Sequence, residues 1–137
     1  MKSYLESASK QFSSYKMVGE KAIGQLRDDQ PFIAATSESN SIAVIVQHLH
    51  GNMLSRWTEF LTSDGEKEWR KRDEEFEGVI KTSGELMLRW NEGWACLFAT
   101  LESLSGNDLE KTVFIRNQGH TVTDAINRQL CHYAYHV

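Results

Sequence analysis

Proline is nearly missing: Pro31 stands alone in 137 residues. Proline removes a backbone N–H and clashes with the preceding helical turn, so its scarcity leaves long helices open almost everywhere. Cysteine is scarce too. Cys96 and Cys131 are the only two, both in apolar helical stretches, and they read as small buried hydrophobes. A structural disulfide between them is not expected in a reducing compartment. No apolar run approaches the ~18 residues a membrane span needs, so no membrane association is expected. Met1-Lys2-Ser3-Tyr4-Leu5-Glu6 lacks the apolar core of a signal peptide. The cytoplasm is the expected compartment. No clustered basic face is evident and the net charge is −4, which argues against nucleic acid as a partner. A glycine-rich phosphate loop, a serine nucleophile elbow and an HExxH helix are also missing. There is no internal repeat and no low-complexity segment.

What remains is ordinary for a soluble globular protein, with 40% hydrophobic and 25% charged residues. The length suits one domain, residues 1–137, able to bury roughly two-thirds of its unfolded surface.

Apolar residues recur at steps of three and four, so helices should dominate. Leu5, Ala8, Phe12, Tyr15, Gly19, Ala22 and Leu26 form one stripe and predict a first helix from about Ser3 to Leu26. Asp28-Asp29-Gln30-Pro31 ends it, because proline disfavours helix in the residue before it. Residues 32 to 40 read as a loop. Asn40 or Ser41 caps the second helix, whose buried side is Ile42, Val46, Leu49, Met53, Trp57 and Phe60 or Leu61. Residues 63 to 77 alternate in charge, which reads as a solvated connection pinned by Trp69 and Phe76; a lid or interface segment is the sharper reading. Thr82 or Ser83 opens the third helix with support from Glu85, and Leu86, Trp90, Trp94, Leu97, Leu101 and Leu104 make its stripe. Ser105-Gly106-Asn107 stops it. Thr112 to Ile115 is β-favouring and Asn117-Gln118-Gly119 is a turn signal, so a small hairpin is expected. Thr121 then caps a fourth helix, with Asp124 at the capping-box position. That helix carries two adjacent stripes, Val122, Ile126, Leu130, Tyr133 and Val137, and Ala125, Gln129, His132 and His136.

The chemistry resides in histidine. His132 and His136 are four apart, so they stack on one helix face, and both imidazoles can reach one ion at ~2.0–2.1 Å. They ride on the flank of the apolar face and point inward. His48 lies at the edge of the apolar stripe of the second helix, also facing inward, whereas His50 is about 200° further round and should be nearer solvent. Three protein ligands leave a position open for water or substrate. Cys131 is a poor fourth ligand, since helix neighbours point about 100° apart. Asp124 is two turns from His132, and no competing carboxylate is evident. An all-nitrogen open site suits zinc or nickel better than calcium or magnesium. HxxxH alone is a weak signal, and hydrogen-bonded interior histidines would give the same pattern.

The stretches Val46 to Trp57, Thr62 to Lys67, Arg72 to Phe76, Gly119 to Val122 and Arg128 to Val137 together resemble the DinB-like (YfiT-like) metalloenzymes of bacteria, closest to a branch found in bacilli and relatives. The resemblance spans nearly the whole chain. It implies an all-α, four-helix up-down-down-up bundle with a long crossover. It implies a divalent ion held by His48, His132 and His136, with His50 incidental and His120 a turn residue or a neighbour of the site. It does not imply a DNA polymerase. Relatives include thiol-dependent S-transferases and isomerases, in which a metal presents a low-molecular-weight thiol as thiolate. Family members usually continue beyond the HxxxH motif, whereas Val137 is the last residue here. A shortened fourth helix should therefore fray in its last turn, where four carbonyls lack helical partners, and the apolar surface left bare would favour a homodimer. Two functions follow as expectations: an open-site metalloenzyme, of thiol-transferase or hydrolase class, and a non-catalytic bundle acting through dimerisation or partner binding.

Overall fold

A computed structural model describes residues 2–34, 40–77 and 80–137. The expected loop at residues 32 to 40 lies partly outside them. Four helices form an all-α bundle: α1 (Lys2–Gly24), α2 (Ile42–Trp57), α3 (Ser83–Ser103) and α4 (Val122–His136). A two-stranded antiparallel hairpin, β1 (Thr112–Ile115) and β2 (Gln118–Thr121), leads directly into α4.

The starts of α2, α3 and α4 have a local cause. Ser41 Oγ accepts from Val44 N at 3.2 Å, Thr82 Oγ1 from Glu85 N at 3.1 Å, and Thr121 Oγ1 from Asp124 N at 3.0 Å. These caps satisfy amides that have no partner inside the helix. The end of α2 is equally specified. Lys67 Nζ donates to Ser55 O at 2.6 Å and Thr100 Oγ1 to Trp57 O at 2.7 Å. The helix therefore stops at Trp57, and Glu59 takes a positive φ of 47°. Phe60 is buried outside the helix and Leu61 is largely exposed.

The core joins one aromatic ring from every helix. Phe12 of α1 meets Trp57 of α2 edge-on at 5.9 Å and Tyr133 of α4 at 5.8 Å, and Trp94 of α3 meets Tyr133 at 5.9 Å. All four are essentially fully buried. The Tyr133 hydroxyl donates to Asn52 Oδ1 at 2.6 Å and accepts from Trp57 Nε1 at 3.0 Å. These two bonds fix α4 against α2 in one register. Tyr4 of α1 adds a hydrogen bond to Asn127 of α4.

Close approach of α1 to α3 depends on Gly19. A Cβ there would lie 2.8 Å from Trp90 Cζ2, closer than carbon atoms pack. Gly19→Ala should lower stability by about 1–2 kcal/mol by overpacking, even after the better helix propensity of alanine. Denaturant unfolding measures this, and a gain in stability would show that the ring has room to move.

The structure departs from the sequence expectations at several places. His50 is buried, at 9% exposure. Buried residues surround α2 on all sides, and Gly93 of α3 lets the backbone at His50 approach closely. Its Nε2 pairs with Glu92 Oε1 at 3.0 Å. The cysteines are free but are not buried hydrophobes: Cys96 is half-buried and Cys131 exposed. Of the two expected anchors of the charged connection, Trp69 is 54% exposed, whereas Phe76, 46% exposed, packs against α2. The hairpin turns at Arg116 and Asn117, both left-handed, with φ of 52° and 65°. Such a two-residue turn matches the strand twist but is costly for arginine. Asp64 offsets that cost by accepting from Arg116 N and Asn117 N, both at 2.9 Å.

Candidate metal centre

Pinning Tyr133 to Asn52 has a consequence one residue and one turn away. His132 precedes Tyr133 on α4, and His48 lies one turn before Asn52 on α2, so the two imidazoles are brought together, their rings nearly perpendicular at 81°. His48 Nε2 lies 3.1 Å from His132 Nε2, and His136 Nε2 lies 3.0 Å from the same atom. His48 and His136 rings are 4.8 Å apart between centroids. The three ligand atoms lie within 4.8 Å of one another. Nitrogens on a tetrahedral ion with ~2.0–2.1 Å bonds are separated by about 3.3 Å, so small side-chain adjustments suffice to converge on one ion. The last turn of α4 includes a helical bond, Val137 N to Tyr133 O at 2.9 Å.

The electrostatics suit a cation. Burial, with the neighbouring imidazoles His136 and His48 adding to it, pushes His132 down to about 3. Burial and His48 also lower His136. Near neutral pH both rings are therefore uncharged, the form that ligates a metal. The sign of the consequence for stability follows from linkage. An unfolded histidine takes up a proton near 6.5, while folded His132 refuses it until about 3. The unfolded state binds more protons across that window, so stability is present above it and is lost as pH falls through it. Below the ordinary carboxylate range Glu75, Asp64 and Glu66, all lowered, add losses of the same sign. Melting temperature of metal-free protein should fall steadily from neutral pH downward. A flat profile between pH 6.5 and 4 would contradict the burial of these rings.

His48 is held from behind by residues that the charge pattern hid. The short 3-10 turn Asp73–Phe76 directs Glu75 inward, to 8% exposure, and stacks Phe76 on the His48 ring at 5.2 Å. Glu75 Oε1 lies 3.0 Å from His48 Nδ1. Arg70 grips the same carboxylate, Nε to Oε2 at 2.8 Å and Nη2 to Oε1 at 3.0 Å. Burial alone would raise the Glu75 carboxyl, but these hydrogen bonds and the Arg70 charge outweigh it and hold it below the usual range. Gln47 ties the turn to α2, donating to Glu75 O at 3.0 Å and Glu77 O at 2.6 Å, and accepting from Ile80 N at 2.7 Å. Gly51 makes the space, since a Cβ there would lie 2.6 Å from Glu75 Cδ.

The sequence-predicted ligands His48, His132 and His136 are thus brought together, and they can hold a metal ion. His50 faces Glu92 instead. His120, on β2, is not in the cluster, but with Cys131 and Tyr135 it lines an open groove that reaches His132. Glu75, Arg70, Gln47 and Gly51 were missed. The only sequence signal for them is a glutamate and an arginine five apart in an alternating-charge run, which a solvated loop shows equally. Residues 1–137 match the family described as "Protein of unknown function (DUF1572)". No curated protein and no solved structure matches the chain.

Proposed function

The chain belongs to the DUF1572 family of proteins of unknown function, and from that premise we propose that it is a DinB-like, divalent-metal-binding bundle with an open three-histidine site and metal-dependent enzymatic activity. The observation that carries this reading is the convergence of one ring nitrogen each from His48, His132 and His136 within 4.8 Å of one another. The donor set fits the group. All three ligands are imidazole nitrogens, two of them held proton-free by burial, which favours zinc or nickel over oxygen-seeking cations. When bound, such an ion supplies Lewis acidity that lowers the pKa of a coordinated water or thiol. The chain's own part is to present three imidazole lone pairs and to shield one face of His48 with Phe76. Among the described residues no fourth side-chain ligand joins the cluster, which leaves room for a water or a low-molecular-weight thiol. A small-molecule substrate, a cytoplasmic setting and a homodimer belong to this proposal. Among the described residues, no helix is long and apolar enough to cross a membrane.

Elemental analysis of protein purified without a histidine tag tests the reading. About one equivalent of zinc or nickel per chain is expected. A second reading, a non-catalytic bundle that self-associates, is favoured by the exposed apolar side chains of Met17, Val18 and Leu88, at 55%, 53% and 63%. Metal-free protein that is dimeric by light scattering would select it.

A further inference from the structure

We propose that Glu75 is a positioning residue for the metal ligand His48: it holds the ring in the Nδ1–H tautomer and so aims the Nε2 lone pair at the point shared with His132 and His136. This rests on the metal-binding reading above but makes a claim about the metal-free protein as well.

The argument is one of donors and acceptors. A carboxylate only accepts hydrogen bonds. Arg70 grips both oxygens of Glu75, as expected for a guanidinium and an ionised carboxyl. A ring nitrogen 3.0 Å from Glu75 Oε1 must therefore carry the hydrogen. With Nδ1 protonated, the neutral ring has its lone pair on Nε2, the atom that faces the other two histidines. Ring orientation is restrained independently by Phe76, stacked at 5.2 Å and 30°, and by Gln47, which clamps the backbone on either side of Phe76.

The space for this contact is specific. Gly51 lies three residues after His48, on the same face of α2, and any side chain there would collide with the Glu75 carboxyl. A glycine inside a helix costs about 0.5–1 kcal/mol relative to alanine, so its presence at the one point where Glu75 enters suits a built contact. The connection between α2 and α3 thus reaches the metal centre from behind rather than covering it as a lid.

If Glu75 served only as a buried counter-ion for Arg70, its replacement would alter stability and leave the His48 tautomer as it was. Two measurements separate the roles. Long-range proton–nitrogen NMR of metal-free protein labelled at histidine nitrogens, recorded above the imidazole titration range, reads the tautomer. Competition with a chromophoric chelator reads zinc affinity. Wild type should show His48 as Nδ1–H. In Glu75→Gln, Arg70 competes for the single remaining oxygen and the amide NH2 turns to His48, so the Nε2–H population rises. Zinc should bind ~10- to 100-fold more weakly, the usual cost of losing the outer hydrogen-bond partner of a ligating histidine. Gly51→Ala, which keeps the carboxylate but displaces it, should move both readouts in the same direction. An Nε2–H tautomer in wild type overturns the proposal without any variant. An Nδ1–H tautomer unchanged in the folded variants, or unchanged zinc affinity, overturns it too. Wild-type protein with no zinc affinity would instead remove the metal-binding reading, while the tautomer result would still stand or fall on its own.

Discussion

Replacing His132 with alanine should take bound zinc or nickel from about one equivalent per chain to none. His132 is the middle ligand, with the Nε2 atoms of both other histidines within 3.1 Å. Without it, His48 and His136 would have to span an ion alone, from two helices. Loss of a direct ligand should exceed the ~10- to 100-fold weakening that loss of an outer partner causes. Folding should survive, because Tyr133 and not His132 ties α4 to α2. The variant should also lose much of the stability change between neutral and acidic pH, since a neutral buried imidazole no longer resists protonation. His50→Ala is the control: that ring pairs with Glu92, so metal content should stay at the wild-type level. Full metal content in His132→Ala, read by elemental analysis, would sink the three-histidine site.

The helices and the clustering histidines were legible because both depend on local periodicity. The stripe of Leu86, Trp90, Trp94, Leu97, Leu101 and Leu104 is buried along its whole length. Ser41, Thr82 and Thr121 announce their helices by chemistry that needs no tertiary information. His132 and His136 needed only the four-residue repeat, and His48 only its place beside Leu49. What was illegible depends on neighbours supplied by the fold. His50 is buried because α2 is covered on every side, and no repeat within α2 announces this. Cys131 sits in an apolar stretch yet is exposed, because it is about 100° from His132 on a helix whose inward face is set by Tyr133. The hairpin turn falls on Arg116, a poor left-handed residue, because Asp64 from a distant loop secures it.

The charged connection between α2 and α3 is the largest gap between reading and structure, and Arg70→Ala measures it. Hydropathy counts Arg70 as solvated, yet its side chain is 2% exposed and that of Glu75 8%. Arg70 also lies 3.6 Å from Glu66, which pairs in turn with Arg56 at 3.2 Å and Arg116 at 3.3 Å. Removing Arg70 leaves a buried carboxylate with only His48 to answer it. Breaking one partner of a buried pair typically costs 3–5 kcal/mol, and about 3 kcal/mol is expected here because His48 still donates to Glu75. That is a loss of roughly 10 °C or more in melting temperature for a domain of this size. The cost should belong to the pair and not to the arginine alone. In a Glu75→Gln background no buried charge is stranded, so Arg70→Ala should then cost only about 1 kcal/mol, the coupling a double-mutant cycle isolates. Equal costs in the two backgrounds would mean that Arg70 stabilises the fold through its packing or through Glu66. A cost near zero in both would return the segment to the solvated connection that its alternating charges suggest.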